Sequence, residues 1–258
     1  MSSEKTEAII LRIVPFSESS VVLTMLTRDF GKISALAKGA YRPKSAFEGA
    51  IDLGCHCRVV FIKKSSDALD LLTEAKLERR FRAANKSLPQ LYVGYYIFEL
   101  LRELTESDEP HPDLFDLSLW TLKKIDSADL IPGELLDLVA TFELQALKTL
   151  GHAPSMDVCA TCGKTVADAA RVAFGMISGG VLCDACRPRS RQVVMLSKQA
   201  RDAMRQRIDE PGGARSANQT QKNQLNGELR GVLRRYMSHH VGHELKMPRL
   251  IDGIRVRG

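Results

Sequence analysis

The sequence predicts an α+β protein in which a small β-barrel is followed by a mostly α-helical domain. Three observations lead to this prediction. The first eighty residues contain five short runs of β-branched and aliphatic side chains, separated by turn residues. The rest of the chain changes to apolar residues at helical spacing. Within this helical part, four cysteines form two C-x-x-C pairs, which is the pattern of a small metal-stabilised module.

The five runs that predict strands are residues 6–14, 21–27, 32–40, 56–63 and 71–78. The last run alternates with a period of two, and the face carrying Leu72, Glu74, Lys76 and Glu78 is predicted to be largely polar. Five short strands in so small a domain must close or cap their edges. This requirement favours a five-stranded OB-type barrel over residues 1–82, with an SH3-like barrel as the main alternative.

Residues 83–258 are predicted to form a helical domain with a zinc module inserted at about 155–190. Apolar residues at helical spacing predict two helices between residues 93 and 125. A third, mostly buried helix is predicted to start at Pro132 and to end at Gly151, because proline suits the first helical position and glycine the position after the last.

Two helices are expected after the module. The first covers residues 197–208 and is followed by a Pro-Gly-Gly break at 211–213. The last helix is long and amphipathic, and Arg230, Arg234 and Arg235 are predicted to lie away from its buried face.

The most specific motif is the set of Cys159, Cys162, Cys183 and Cys186, two C-x-x-C pairs separated by twenty residues. Each pair lets two thiolates converge on one ion, and two pairs supply the tetrahedral S4 set that structural Zn²⁺ prefers. All four positions are filled by protein ligands, so one zinc ion is predicted to stabilise the fold rather than to act in catalysis. Two disulfides or a thiol redox site are the alternatives, but there is no secretory segment and no thioredoxin-like βαβ context.

Charge is unevenly distributed along the 258 residues, whose formal net charge is +6. Residues 1–80 carry 13 basic against 10 acidic side chains, residues 81–158 carry 6 against 13, and residues 159–258 carry 18 against 8. If four thiolates bind one Zn²⁺, the positive excess of residues 159–258 falls by about two charges. This basic–acidic–basic division suggests that the two basic regions face a polyanion.

Two groups of residues are candidates for contact with nucleic acid. The segment 32–44 combines lysines and arginines with an aromatic ring and has no acid, and Arg12 precedes it on an apolar strand. Cations that follow a phosphate backbone and a ring that stacks on bases are what single-stranded nucleic acid needs, although a solvated hairpin would look similar. The first group is Arg12, Lys32, Lys38, Tyr41, Arg42 and Lys44. The second group, directly after the zinc module, is Arg187, Arg189 and Arg191, and the basic tract continues with Lys198, Arg201, Arg205 and Arg207.

Motifs of catalysis are missing from the sequence, so no enzymatic activity is predicted. Gly163-Lys164-Thr165 resembles the end of a phosphate-binding loop, but Val158 occupies the position of that motif's first glycine. Zinc-deaminase, zinc-protease and serine-hydrolase motifs do not occur. His152 is a conceivable extra zinc ligand, although a role at a helix end is favoured. His239, His240 and His243 are interpreted as an exposed helix end, and Cys55 and Cys57 as core residues.

Over its full length the chain resembles the bacterial RecO family of recombination mediators. The resemblance is carried by T-E-A-I-I-L-R-I-V at 6–14, by the run from Thr27 through Gly31 and Lys38-Gly39-Ala40 to Lys44-Ser45, by L-G-H-A-P at 150–154 leading into C-A-T-C-G at 159–163, and by G-G-V-L-C at 179–183 with Cys186. A departure occurs at residues 246–249, where Lys-Met-Pro-Arg replaces the Lys-Ser-type end typical of the family.

The resemblance implies an N-terminal OB domain, a helical domain and a zinc module. It implies binding to single- and double-stranded DNA, annealing of complementary strands, and loading of recombinase onto DNA coated by single-stranded-DNA-binding protein. The implied partners are RecR and the acidic tail of single-stranded-DNA-binding protein. By position, Lys32, Lys38, Arg42 and Lys44 take the DNA-contact role.

Two other classes of function stay open at this point. One is a zinc-containing enzyme, either a thiol redox protein or a hydrolase, and the other is an RNA-binding protein with an OB barrel and a zinc ribbon. The sequence predicts neither a small-molecule substrate nor a membrane partner, since it has no apolar stretch long enough to cross a bilayer. A cytoplasmic, nucleoid-associated location is expected.

Overall fold

The structure is a computed structural model that describes residues 3–47, 49–64, 68–127, 129–210 and 219–253. Its contacts divide the chain into two compact units, Met1–Asp129 and Leu130–Gly258. The domain division between residues 82 and 83 that the sequence suggests remains a prediction. The expected Pro-Gly-Gly break at 211–213 lies outside the described residues. Among the described helices, none combines the length and the apolar composition needed to cross a membrane.

The first unit contains a closed five-stranded barrel of OB type, as predicted. Its strands are β1 (Ser3–Pro15), β2 (Val21–Thr27), β3 (Gly31–Ala37), β4 (His56–Ile62) and β5 (Asp70–Arg79). The strand order is β1-β2-β3-β5-β4, with β3 and β5 parallel and the other pairs antiparallel. The 13 residues of β1 let it pair with both β2 and β4, and this double pairing closes the barrel.

In the middle of β1, at residues 8–11, both sides of the strand are buried. Small and aliphatic side chains such as Ala8 and Ile10 fill the barrel core together with Phe61 of β4. Ile9 and Leu11 are also buried but lie outside that core, and helix α1 (Leu88–Leu104) packs against β1. This explains why residues 6–14 form a nearly continuous apolar run and do not alternate between apolar and polar side chains.

The polar face predicted for the fifth strand is only partly correct. Glu74, Lys76 and Glu78 are exposed, but Leu72 of the same predicted face is buried in the barrel. The cause is a bulge, because Phe61 pairs with Leu72 whereas Val60 pairs with Glu74, which leaves one extra residue on β5. Such an insertion resets the two-residue alternation, so the inward-facing positions change parity along the strand.

Two helices complete the first unit, α1 and α2 (Pro112–Ser127). Ser87 caps α1 by accepting a hydrogen bond from the Gln90 backbone N–H at 3.3 Å. Ion pairs fasten α2 to the barrel. Arg28, directly after β2, binds Asp116 at 2.8 Å. Helix α2 therefore lies at the Thr27 end of β2, and the turn between β1 and β2 lies at the opposite end of that strand.

Replacing Gly31 by alanine is expected to lower the free energy of unfolding by roughly 2–4 kcal/mol. Gly31 has a φ of +70°, and a Cβ there would lie 2.3 Å from the backbone oxygen of Glu109. A left-handed alanine costs about 1–2 kcal/mol and overpacking typically about 1–3 kcal/mol. Gly151→Ala is the matched control, since φ is +77° but no atom lies within 4 Å, and it should cost only about 1 kcal/mol. Denaturant unfolding of both variants checks this, and equal losses would contradict a role for the Glu109 contact.

The second unit combines helices with one small sheet. Its helices are α3 (Pro132–Thr149), α4 (Lys198–Asp209), α5 (Gln219–Val241) and α6 (Pro248–Asp252). Strands β6 (Arg171–Gly175), β7 (Gly180–Leu182) and β8 (Val193–Ser197) form an antiparallel sheet in the order β7-β6-β8. Helices α4 and α5 pack on α3, and α4 also contacts β6 and β8.

The predicted limits of α3 are confirmed. Pro132 is its first residue, and the chain leaves the helix at Gly151. There the Gly151 N–H donates to the Lys148 carbonyl at 3.0 Å and the His152 N–H donates to the Leu147 carbonyl at 2.7 Å. These two bonds are the Schellman pattern, which satisfies carbonyls at the helix end and needs the left-handed conformation that glycine supplies.

The exposed position predicted for Arg230 is wrong. Its side chain is buried, and it donates to the buried carboxylate of Glu143 on α3 at 2.9 Å. A second carboxylate, that of Asp252 on α6, lies 3.6 Å from the same guanidinium. Helical spacing alone placed Arg230 among the solvent-facing arginines because it cannot reveal a buried acid that is 87 residues away in sequence.

Candidate metal centre and nucleic-acid interface

The four predicted zinc ligands come together in the second unit. The sulfur atoms of Cys159, Cys162, Cys183 and Cys186 all lie within 4.8 Å of one another, and those of Cys162 and Cys183 are 3.8 Å apart. Sulfurs placed tetrahedrally at about 2.3 Å from one ion would be separated by about 3.8 Å. The donor set and its spacing therefore fit one tetrahedral metal ion.

Backbone hydrogen bonds shape the two knuckles. In the first, the Gly163 N–H donates to the Cys159 carbonyl at 2.8 Å. In the second, the Arg187 N–H donates to the Cys183 carbonyl at 3.0 Å. The knuckles are joined by the Ala160 N–H, which donates to the Val181 carbonyl at 2.9 Å. The ligand positions are thus held by turns and by β7, not by the ion alone.

Without a cation, Cys159 and Cys186 of the cluster do not ionise equally. Burial on its own would raise the pKa of Cys159, but hydrogen bonds from the backbone N–H groups of Cys183, Cys162 and Thr161 lower it to about 6. Hydrogen bonds with the neighbouring sulfurs of Cys183 and Cys162 raise the pKa of Cys186 to about 12. One thiolate is therefore favoured and a further one is opposed, and a dication would remove this repulsion.

Four members of the basic tract after the module, Lys198, Arg201, Arg205 and Arg207, have partners inside the second unit. Arg201 is buried and donates to the carbonyls of Met156, Val166 and Ala167 at 2.8–3.2 Å, so it fixes the first knuckle to α4. The three other members of the tract pair with carboxylates. These pairs are Lys198 with Asp168, Arg205 with Asp157, and Arg207 with Asp137.

Arg187, Arg189 and Arg191 differ from the rest of the tract. All three are exposed, and none forms an ion pair with any part of the chain that the structure describes. Arg187 and Arg189 lie on a short 3₁₀ turn directly after the last cysteine ligand. We call these three residues the arginine turn. They place three exposed cations within five residues of Cys186 in the sequence.

The barrel carries a second exposed group. Arg12 lies on β1, and Lys38, Tyr41, Arg42 and Lys44 follow β3 in the loop to β4. All five are exposed, and the last three line a cavity of about 270 Å³. We call these five residues the barrel group. A groove of this kind offers cations for phosphates together with a ring for a base.

Lys32, the sixth predicted DNA contact of the barrel, is placed differently. Its ammonium donates to the Arg102 carbonyl at 2.5 Å, near the end of α1. Burial lowers the pKa of Lys32, and the side chain is half-buried. A lysine that binds a carbonyl at a helix C-terminus stabilises the helix end, and this structural role alone can explain the presence of Lys32. Its DNA contact stays a prediction, which this geometry does not favour.

Sequence reasoning missed Phe16. This residue is 63% exposed, the largest exposure among the large hydrophobic residues described, and Tyr41 and Leu88 follow at 57%. Phe16 lies in the turn between β1 and β2, directly after Pro15 ends the strand. In the sequence, the only sign that Phe16 is exposed was its position directly after Pro15. A phenylalanine beside an apolar strand is normally interpreted as a core residue.

The histidines do not form a second metal site within the described ranges, where the four cysteines are the only group suited to hold an ion. His240 is half-buried and packs against the rings of Tyr236 and His152, with centroids 4.5 and 5.1 Å apart. Burial lowers the pKa of His240, and the neighbouring charges of His152 and His239 lower it further. The interpretation as a simple exposed helix end therefore holds for His239 but not for His240.

Comparison with known proteins gives one consistent answer. Residues 1–81 match the family described as Recombination protein O N terminal, and residues 85–249 match Recombination protein O C terminal. The chain is 46% identical over 205 residues to DNA repair protein RecO of Rhodopirellula baltica, covering 79% of this chain and 74% of that protein. It is 33% identical over 254 residues to DNA repair protein RecO of Anaeromyxobacter dehalogenans, covering 98% of each.

A third relative, DNA repair protein RecO of Myxococcus xanthus, is 32% identical over 240 residues and 93% of each chain. The matches span the OB barrel, the cysteine cluster and the helices around it. The fold and the cysteine cluster described above are thus found in a chain that aligns with the Anaeromyxobacter and Myxococcus proteins over more than nine tenths of its length. The chain belongs to the RecO family of DNA repair proteins.

Proposed function

We propose that this chain is a non-enzymatic recombination mediator that binds single- and double-stranded DNA in recombinational repair. It anneals complementary strands and helps to load recombinase onto DNA coated by single-stranded-DNA-binding protein. One observation carries the proposal: a member of a DNA repair family exposes, on β1 and the loop after β3 of its OB barrel, an aromatic ring and cations that form no ion pair with the described residues. OB barrels bind single strands in this way, with cations along the backbone and rings on the bases.

The chemistry of DNA binding is phosphate neutralisation. Four cations of the barrel group and three of the arginine turn are exposed, which gives up to seven phosphate contacts. Binding of this kind releases condensed counterions, so it is strong at low salt and nearly independent of base sequence. Annealing follows from the same chemistry, because neutralised strands repel each other less when both are held by the protein.

The metal centre has a structural role in this proposal. We assign one Zn²⁺ to Cys159, Cys162, Cys183 and Cys186, since an all-cysteine tetrahedral set leaves no position for a water or a substrate. Zinc would neutralise the thiolates and hold the two knuckles together. The arginine turn, attached to the second knuckle, would thereby be kept in a fixed position.

The proposed protein partners are RecR and the acidic tail of single-stranded-DNA-binding protein. The resemblance to the family supports them, and no residue of this chain is assigned to either contact. DNA is the proposed ligand, and neither a small-molecule substrate nor a membrane is included. The proposed location is the cytoplasm, in association with the nucleoid.

The test of this function is the salt dependence of oligonucleotide binding by the intact protein. The logarithm of the binding constant should fall linearly with the logarithm of salt concentration, with a slope of about −0.7 per phosphate contact for single strands. Four contacts predict a slope of about −3, and seven predict about −5. Fluorescence anisotropy with labelled oligonucleotides measures it. Failure to bind DNA at low salt, or a slope near zero, would contradict the proposal.

A further inference from the structure

Two exposed rings lie on loops that are bonded to each other. Phe16 belongs to the turn between β1 and β2, where its N–H donates to the Ser20 carbonyl at 2.9 Å. Tyr41 belongs to the loop after β3, and its N–H donates to the Ser19 carbonyl of that turn at 3.1 Å. The Gly39 N–H adds a bond to the Ser20 hydroxyl oxygen at 3.2 Å. The turn and the loop therefore form one continuous surface at one end of the barrel.

The backbone under both rings is held in place. In the loop, the Ser45 hydroxyl donates to the Ala40 carbonyl at 2.9 Å, and the Arg42 N–H donates to the Gly39 carbonyl at 3.0 Å. Neither ring packs against another aromatic ring among the described residues. The rings are thus presented to solvent from bonded loops, and the barrel core does not use them.

Charge indicates what the turn can bind. Between Pro15 and Ser20 the only ionisable residue is Glu18, whose carboxylate would repel phosphates. The loop beside it carries Lys38, Arg42 and Lys44. Phosphates are therefore expected on the loop, whereas the turn offers a strand only the face of Phe16.

We propose that Phe16 and Tyr41 form a base-stacking site for unpaired bases, with the loop cations holding the phosphates beside them. This inference rests on the proposed DNA-binding function and adds a basis for choosing single strands over duplex. Every base has a π face, so stacking on a ring is available for any sequence. In a duplex those faces are already stacked on neighbouring bases, so the two rings add little to the affinity for duplex DNA.

The experiment compares the intact protein with Phe16→Ala and Tyr41→Ala on three fluorescent ligands of equal length. They are a mixed-sequence single strand, its duplex, and a strand that carries abasic sites in place of its bases. Each substitution should weaken single-strand binding roughly 5- to 100-fold. It should change binding to the duplex and to the abasic strand less than about twofold, and it should leave the salt slope unchanged, since no phosphate contact is lost.

Matched variants separate the ring from its surroundings. Tyr41→Phe keeps the ring and should bind like the wild type. Trp120→Ala removes an exposed ring on α2, at the Thr27 end of the barrel, and should also bind like the wild type. Thermal unfolding of Phe16→Ala should match the wild type, because an exposed side chain contributes little to stability.

The outcomes distinguish the two proposals. If the wild type binds no DNA, the proposed function itself fails. If the wild type binds with the expected salt slope but Phe16→Ala and Tyr41→Ala weaken the normal, abasic and duplex ligands equally, or weaken none, the stacking site is overturned and the function stands.

Discussion

Removal of the metal is expected to unfold the module that holds the four cysteines. Cys183→Ser should release one zinc ion per chain, because a tetrahedral site that loses one thiolate binds zinc far more weakly. A metal present at about a thousand times its dissociation constant stabilises the fold by about 4 kcal/mol. For a chain of this size such a loss should lower the melting temperature by roughly 10 °C. Metal analysis and thermal unfolding, with and without chelator, measure the effect.

Cys55→Ala is the control for this prediction. Cys55 and Cys57 lie in the barrel core of the first unit, so the substitution removes a thiol without touching the metal centre. Its metal content should equal that of the wild type. The prediction fails if the purified protein holds no zinc, or if chelation leaves the thermal transition of the wild type unchanged.

Thiol reactivity separates the structural metal centre from a redox enzyme. Burial raises the pKa of Cys57 to about 12 and also raises that of Cys55, so neither thiol should react at neutral pH. The intact protein should thus react slowly with an alkylating reagent, and chelation should expose four reactive thiols. A thiol that reacts rapidly while the metal is bound would instead support the redox alternative.

Local patterns were sufficient to predict most of the barrel. Runs of β-branched residues between turn residues gave β2 its observed limits, Val21–Thr27, and placed the other four strands within three residues of theirs. The C-x-x-C spacing likewise predicted which four cysteines come together, since each knuckle is a short turn. In both cases the information lies within a few residues of the element that it specifies.

Local patterns were insufficient where a distant residue decides how a side chain is placed. The bulge that buries Leu72 depends on its register against β4. Lys32 is engaged by the carbonyl of Arg102, which is 70 positions away, and Arg201 by the carbonyl of Met156, which is 45 positions away. A count of basic residues therefore does not show which of these side chains already have a partner within the fold. Phe16 was overlooked for the converse reason, because only the folded loops show that its ring stays uncovered.

Charge reversal in the loop after β3 is expected to give the largest loss of DNA binding. The double variant Lys38→Glu/Arg42→Glu removes two exposed, unpaired cations of the barrel group and places two acids beside the strand. Two lost phosphate contacts should reduce the salt slope by about 1.4. At roughly 0.1 M salt this corresponds to a loss of affinity of at least about 25-fold, to which repulsion by the new acids adds. Anisotropy titrations over a range of salt concentrations give both quantities.

The matched control is Lys123→Glu/Lys124→Glu, which changes the net charge equally at two exposed positions of α2. If only the overall charge mattered, both double variants would lose the same affinity, and the loop would not be the contact. Lys32→Gln gives a second comparison, because its ammonium binds the Arg102 carbonyl. It should lower stability while leaving the salt slope intact, since the ammonium would have to give up its bond to the helix end before it could contact a phosphate.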